Sequence, residues 1–159
     1  SLNQYFFESL LVTVAPVFTR EDLVITKEIL VAAIGDKDVP QALIIRTLPN
    51  EASKLLKQYS HSNPAYLSEQ AAIYIKELGV SHLFIDLPSI DKEFDGGAIL
   101  AHKAFWNVGG TIRIHATITE FVFVPDTILD NYYFLQLGLA PFVNDASPST
   151  VLLYPFENK

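Results

Sequence analysis

Two residues able to bind a metal ion or move a proton stand in apolar surroundings. His102 lies in the stretch 98–106, which has no helix-breaking residue, and Glu120 lies in the strand-like run 112–124. Imidazole nitrogen and carboxylate oxygen both suit zinc or manganese. Two ligands do not make a metal site, so the chemistry depends on what surrounds them.

Glu120 is predicted to be the one polar side chain in an apolar row. In an extended chain alternate residues share a face. The residues predicted to share the face of Glu120 are Ala116, Ile118, Val122 and Val124. A carboxylate buried there without a partner costs several kcal/mol. A metal ion, hydrogen-bond donors or an arginine must compensate it, and Arg113 and Arg46 are the candidate arginines.

His102 is predicted to lie on the apolar face of a helix over 98–106. Ala98, Ile99, Phe105 and Trp106 fall on the same face at helical spacing. A histidine in that position can be a core residue bonded to a backbone carbonyl, or it can be a metal ligand. Only a short glycine turn separates this helix from the strand with Glu120, so both interpretations stay open.

A third group of polar residues lies between a predicted strand and the helix with His102. Asp86 ends the apolar run, and Asp91 and Asp95 follow it. Acidic residues at the carboxyl end of a strand commonly bind ligands in α/β folds, although aspartates there also stabilise turns. Asp86 and Asp91, with His61 from the polar loop 59–68, are candidate substrate-binding residues.

The pattern of the remaining chain predicts an α/β fold. Helices are expected over 26–34, from about 50 to 56, and after Ser68, a good N-cap residue. Strands are expected over 10–15, 42–47, 82–86, 112–124, 132–138 and 150–155. Helices alternate with strands first and consecutive strands follow, which indicates a mixed sheet, or two sheets, with helices on one side.

Composition narrows the functional class. A chain of 159 residues has room for one domain. The net charge of −7 argues against a nucleic-acid partner, and no apolar run is long enough for a membrane span. The absence of cysteine and of an N-glycosylation sequon fits a cytoplasmic protein.

Three segments resemble the C-terminal part of the cyclase family of metal-dependent hydrolases, which includes bacterial kynurenine formamidase and isatin hydrolase. They are "HLFIDLPSIDKEFDGGAILAHKAFW", "ITEFVFVPD" and "LQLGLAPFVNDASPSTVLLY". The D-x-P-S-x-D segment, the helix histidine and the strand glutamate are the most specific parts. The resemblance implies a swivelling β/β/α fold and hydrolysis of a small-molecule amide, linear like an arylformamide or cyclic.

The resemblance also implies roles for the two residues first singled out. The family's helix histidine and strand glutamate bind zinc or manganese, and they correspond to His102 and Glu120. The ion would acidify a bound water and polarise the amide carbonyl, while a nearby histidine would serve as base. The family commonly forms oligomers, so a homo-oligomer is expected.

One departure from the family concerns its principal metal ligands. The family carries them in an upstream H-x-G-T-H-x-D/E motif, which this sequence lacks, and the chain opens at Ser1 without an initiator methionine. We therefore expect residues 1–159 to be a single C-terminal part of a longer hydrolase, with an incomplete metal site and inactive alone. The alternative is a non-catalytic domain for small-molecule or partner binding, with Glu120 paired to an arginine.

Overall fold

The computed structural model describes residues 4–141 and 144–156, which fold into two β-sheets and three α-helices. In chain order the elements are β1 Phe6–Val14, β2 Val17–Thr19, β3 Asp22–Ile25, α1 Lys27–Ile34, β4 Ala42–Thr47, a 3₁₀ helix Ala52–Leu56, β5 Tyr66–Leu67, α2 Glu69–Glu77, β6 His82–Ile85, α3 Leu100–Trp106, β7 Thr117–Thr119, β8 Tyr132–Leu139 and β9 Ser149–Pro155. The α-helices have eight, nine and seven residues, too short to cross a bilayer.

The larger sheet is mixed, as the sequence predicts. Its strand order is β7-β6-β4-β1-β8-β9, with parallel pairing from β7 to β1 and antiparallel pairing from β1 to β9. Every residue of β4 and β6 is buried, which is typical of central parallel strands covered on both faces. A small sheet, β2-β3-β5, was missed because its strands have two to four residues.

All three α-helices pack on one face of the larger sheet, and the α/β prediction is confirmed. Leu30, Ile75 and Phe105, one from each helix, join Leu43 and Ile85 in a single buried cluster. A second cluster covers the opposite face, where the connection between β7 and β8 packs on the strands. Removal of these side chains from water is the main stabilising contribution of both clusters.

Local signals place the ends of α2 as predicted. The Ser68 hydroxyl accepts a hydrogen bond from the Ala71 backbone N–H at 3.1 Å, which satisfies one free donor of the first turn. Gly79 follows the helix with a φ of 83°, a conformation that glycine adopts without steric cost.

Three predicted elements differ from the structure. The helix expected from about 50 to 56 is a 3₁₀ helix over Ala52–Leu56. The helix expected over 98–106 begins at Leu100, because Ile99 has a left-handed backbone, and Ile99 is exposed rather than on the buried face. The strand expected over 112–124 pairs only over Thr117–Thr119, because the backbone leaves the extended conformation at Phe121, where φ is 60°.

Candidate functional site

The site residues lie at the carboxyl ends of the parallel strands, on segments joined to one another. His102 is in the first turn of α3, and Glu120 follows β7 directly. The Trp106 indole donates a hydrogen bond to the Ala116 carbonyl at 3.1 Å, which ties the end of α3 to the start of β7. These contacts bring His102 and Glu120 to a common point.

His102 has a carboxylate at each ring nitrogen. Nδ1 lies 2.5 Å from Oδ2 of Asp91, and Nε2 lies 3.7 Å from Oε1 of Glu120. An ionised carboxylate only accepts hydrogen bonds, so Nδ1 carries the proton and donates it toward Asp91. When the ring is neutral, Nε2 carries a lone pair, which is the form in which imidazole binds a metal.

Asp91 is held by the backbone of α3 as well as by the histidine. Its carboxylate accepts hydrogen bonds from the N–H groups of Ala101, at 2.6 Å, and His102, at 3.3 Å. Burial opposes ionisation of Asp91, but the hydrogen bonds from the His102 ring and from these two N–H groups outweigh it and lower its pKa. Asp91 therefore stays a carboxylate and orients the His102 ring.

Glu120 is half-buried and faces His102. Its Oε1 accepts a hydrogen bond from the Ile90 backbone N–H at 3.0 Å, and its side chain is 28% exposed. Burial raises the pKa of Glu120, and the nearby charge of Asp91 adds to the increase, against the Ile90 hydrogen bond and the charge of His102. The carboxylate thus lacks full compensation from the protein.

Neither candidate arginine is the partner of Glu120. Arg113 donates to the carbonyls of Phe105 and Val80. Arg46 forms an ion pair with Asp130 at 2.9 Å and donates to other groups around it. The hypothesis of an arginine-paired Glu120 is therefore wrong.

The separation of His102 Nε2 and Glu120 Oε1 is compatible with a shared metal ion. A metal bound at about 2.1 Å by both atoms would allow them to lie up to about 4.2 Å apart, and Nε2 of His102 is 3.7 Å from Oε1 of Glu120. A carboxylate held against Nδ1 is the outer-shell partner that metal-binding histidines commonly have. Among residues 4–141 and 144–156, however, no group of three or more metal-ligating side chains forms.

A cavity of about 660 Å³ opens beside this pair. His102, Trp106 and Glu120 line one side, and residues 144–149 of the connection between β8 and β9 line the other. The residue pattern of 144–150 alone did not indicate a binding site. Its proximity to α3 and β7 could not be predicted, because the segment is distant from both in sequence. The cavity volume suits a small organic molecule.

A second cavity, of about 500 Å³, adjoins the first at Phe121. Tyr59, Ser89, Asp91 and Lys92 line it, while Phe121 lines both cavities. Phe121 has a φ of 60°, a backbone conformation that costs a residue other than glycine about 1–3 kcal/mol. At Phe121 the backbone leaves the extended conformation, so side chains no longer alternate between two faces as predicted for 112–124. The apolar row expected around Glu120 therefore ends at this residue.

The other predicted substrate-binding residues lie elsewhere. Asp86 is buried, pairs with Lys54 at 2.8 Å, and accepts two hydrogen bonds from Thr47. The His61 ring stacks on Phe94 in an exposed loop, with ring centroids 5.7 Å apart. Neither residue lines either cavity. Of the three candidates, only Asp91 reaches the site, and its contact there is with His102.

Solved structures of low sequence identity share the fold of this chain. A potential metal-dependent hydrolase with cyclase activity superposes with a TM-score of 0.70 at 21% identity, over 99% of this chain and 69% of that chain. A predicted metal-dependent hydrolase from Bacillus stearothermophilus gives a TM-score of 0.67 at 21% identity, over 96% of this chain and 65% of that one.

Isatin hydrolase A from Labrenzia aggregata, bound to benzyl benzoate, is a more distant neighbour. Its TM-score is 0.58 at 10% identity, over 94% of this chain and 59% of that chain. The chain thus spans about three fifths to two thirds of the length of these structures. The sequence matches no family model and no curated protein. The structural likeness supports the fold expected from the resemblance to the cyclase family.

Proposed function

We propose that this chain is part of a metal-dependent hydrolase of non-peptide C–N bonds, acting on a small arylformamide-like or cyclic amide. The observation that carries the proposal is the Asp91–His102–Glu120 arrangement, in which one carboxylate orients the imidazole and the other shares its free face. The fold shared with metal-dependent hydrolases supports it.

Each of the three residues has a distinct role in this proposal. His102 Nε2 and the Glu120 carboxylate hold a divalent ion, zinc or manganese, and Asp91 keeps the proton on Nδ1. When bound, the ion supplies a Lewis acid for the amide carbonyl and lowers the pKa of water. Glu120 is fixed in turn by the Ile90 N–H, so the ligand atoms are positioned before a metal arrives.

The remaining ligands are proposed to come from outside residues 1–159. Two ligands are fewer than the three that catalytic zinc sites take from the protein. We therefore propose that an upstream H-x-G-T-H-x-D/E segment of a longer chain completes the site. Joining such a segment is expected to give hydrolysis of formanilide, a linear aryl formamide, or of isatin, a cyclic amide.

Replacement of Glu120 tests the metal site directly. Glu120→Gln is expected to weaken Zn²⁺ or Mn²⁺ binding by more than about tenfold, because loss of an outer-shell partner alone costs about 10–100-fold. Isothermal titration calorimetry with each ion on the chain measures this. Glu77→Gln, the same change at an exposed position of α2, is the control. Equal affinity in Glu120→Gln and the unsubstituted chain would overturn the proposal.

A further inference from the structure

Phe121 combines a strained backbone with an exposed aromatic side chain. Its backbone has a φ of 60°, and the residue is 63% exposed. A bulky residue in the left-handed region is strained, and burial of the ring does not offset that strain here. Strained positions of this kind cluster at functional sites.

The contacts on either side hold the Phe121 backbone in place. Its own N–H donates to the Leu87 carbonyl at 2.9 Å, and the N–H of Val122 donates to the Ile85 carbonyl at 2.9 Å. The preceding residue, Glu120, is bound to the Ile90 N–H. The Phe121 backbone is therefore held directly after Glu120, the residue proposed to bind the metal, and its side chain lines both cavities.

Tyr59 supplies a second aromatic surface at the same junction. Its ring meets Phe121 edge to face, with centroids 5.9 Å apart and planes at 66°. Lys57 Nζ lies over the Tyr59 ring, 5.0 Å from its centroid. The exposed part of the Phe121 ring is left free to pack against a flat apolar group.

We propose that Phe121, supported by Tyr59, is a specificity-determining residue that holds the aromatic ring of the substrate beside Glu120. The inference rests on the proposed amide hydrolase function. It adds the residue that selects substrates with a planar ring over those with a non-planar ring. Aromatic rings favour edge-to-face or offset contacts with other rings.

This role is tested by the binding of two amides, one with a planar ring and one with a non-planar ring, to the metal-free chain. Formanilide and N-cyclohexylformamide are titrated into the chain, and fluorescence of the single tryptophan, Trp106 in the cavity wall, reports binding. We expect formanilide to bind about fivefold more tightly, the factor given by about 1 kcal/mol of ring contact. Phe121→Asn, which tolerates the left-handed backbone, is expected to remove that preference, and Phe121→Tyr to keep it.

Phe94→Asn is the matched control, because Phe94 is also 63% exposed and lines neither cavity. A purely structural role for Phe121 predicts a changed melting temperature in Phe121→Asn with the preference intact, and that result would overturn the inference. Absence of any preference in the unsubstituted chain would overturn it as well. The proposed metal-dependent function is tested separately, by metal affinity, because Phe121→Asn leaves the side chains of His102 and Glu120 unchanged.

Discussion

Asp91 holds Nδ1 of His102, as the proposed metal binding through Nε2 requires. The same carboxylate accepts backbone hydrogen bonds from Ala101 and His102, so ring orientation and helix start depend on one side chain. Asp91 is a positioning residue in this arrangement, since it faces Nδ1 rather than the shared side of His102 and Glu120.

Asp91→Asn is expected to lower zinc affinity by about 10–100-fold, the usual cost of losing a second-shell carboxylate. An amide accepts the Nδ1 proton less strongly, so the ring loses its fixed tautomer. Calorimetry gives the affinity, and ¹⁵N chemical shifts of the His102 ring give the tautomer.

The control for this change is Asp95→Asn. Asp95 also caps nearby backbone, accepting hydrogen bonds from the N–H groups of Gly97 and Ile99, but makes no contact with His102. Its substitution should leave the ¹⁵N shifts and the affinity unchanged. If Asp91→Asn behaves in the same way, Asp91 has only a structural role.

At the scale of elements, Arg46 ties the connection between β7 and β8 to the main sheet. Its guanidinium, on β4, donates to the carbonyls of Pro125 and Ile128 at 2.9 and 2.7 Å and to Asp130 at 2.9 Å. Thr13 on β1 also contacts both Arg46 and Asp130. This connection covers the sheet face opposite the helices and begins directly after Glu120.

Arg46→Met is expected to lower the free energy of unfolding by about 1–2 kcal/mol, because three partly exposed acceptors lose their hydrogen-bond donor. Urea unfolding followed by circular dichroism measures the change. Arg20→Met, at an exposed position, should have an effect within about 0.5 kcal/mol. If Arg46→Met lowers the free energy of unfolding no more than Arg20→Met does, the connection between β7 and β8 is held by apolar packing alone.

At the scale of the whole molecule, stability is expected to depend on pH through His82. This residue is buried at the start of β6. The centroids of its ring and the Phe7 ring lie 4.0 Å apart, and its Nδ1 lies 2.9 Å from the Thr117 hydroxyl oxygen. Burial, with a smaller contribution from the charge of Arg113, lowers the pKa of His82 to about 4. In the unfolded chain the pKa returns to about 6.5.

The unfolded state therefore binds the His82 proton first as the pH falls. The stability linked to His82 is complete above about pH 6.5 and is lost as the pH falls toward about 4, by roughly 3 kcal/mol in total. We expect His82→Gln to flatten the fall in unfolding free energy over this range. Parallel curves for His82→Gln and the unsubstituted chain would show that His82 is not the group responsible.

By itself the sequence determined the elements with strong local signals. The buried strands β4 and β6 were predicted from continuous apolar runs, and the start of α2 from Ser68. His102 and Glu120 were identified because a titratable group in an apolar pattern needs compensation wherever it is buried. The predictions of β4, β6 and the start of α2 succeed because side-chain burial and capping act over a few residues.

The tertiary structure decided which groups compensate which. Asp91 meets His102 and Arg46 meets Asp130, and neither pairing follows from spacing along the chain. The reversal at Phe121 is likewise set by backbone partners in another segment, because its residue type disfavours a left-handed backbone. Contacts between segments depend on the three-dimensional path of the chain, and it was this path that placed two carboxylates around one imidazole.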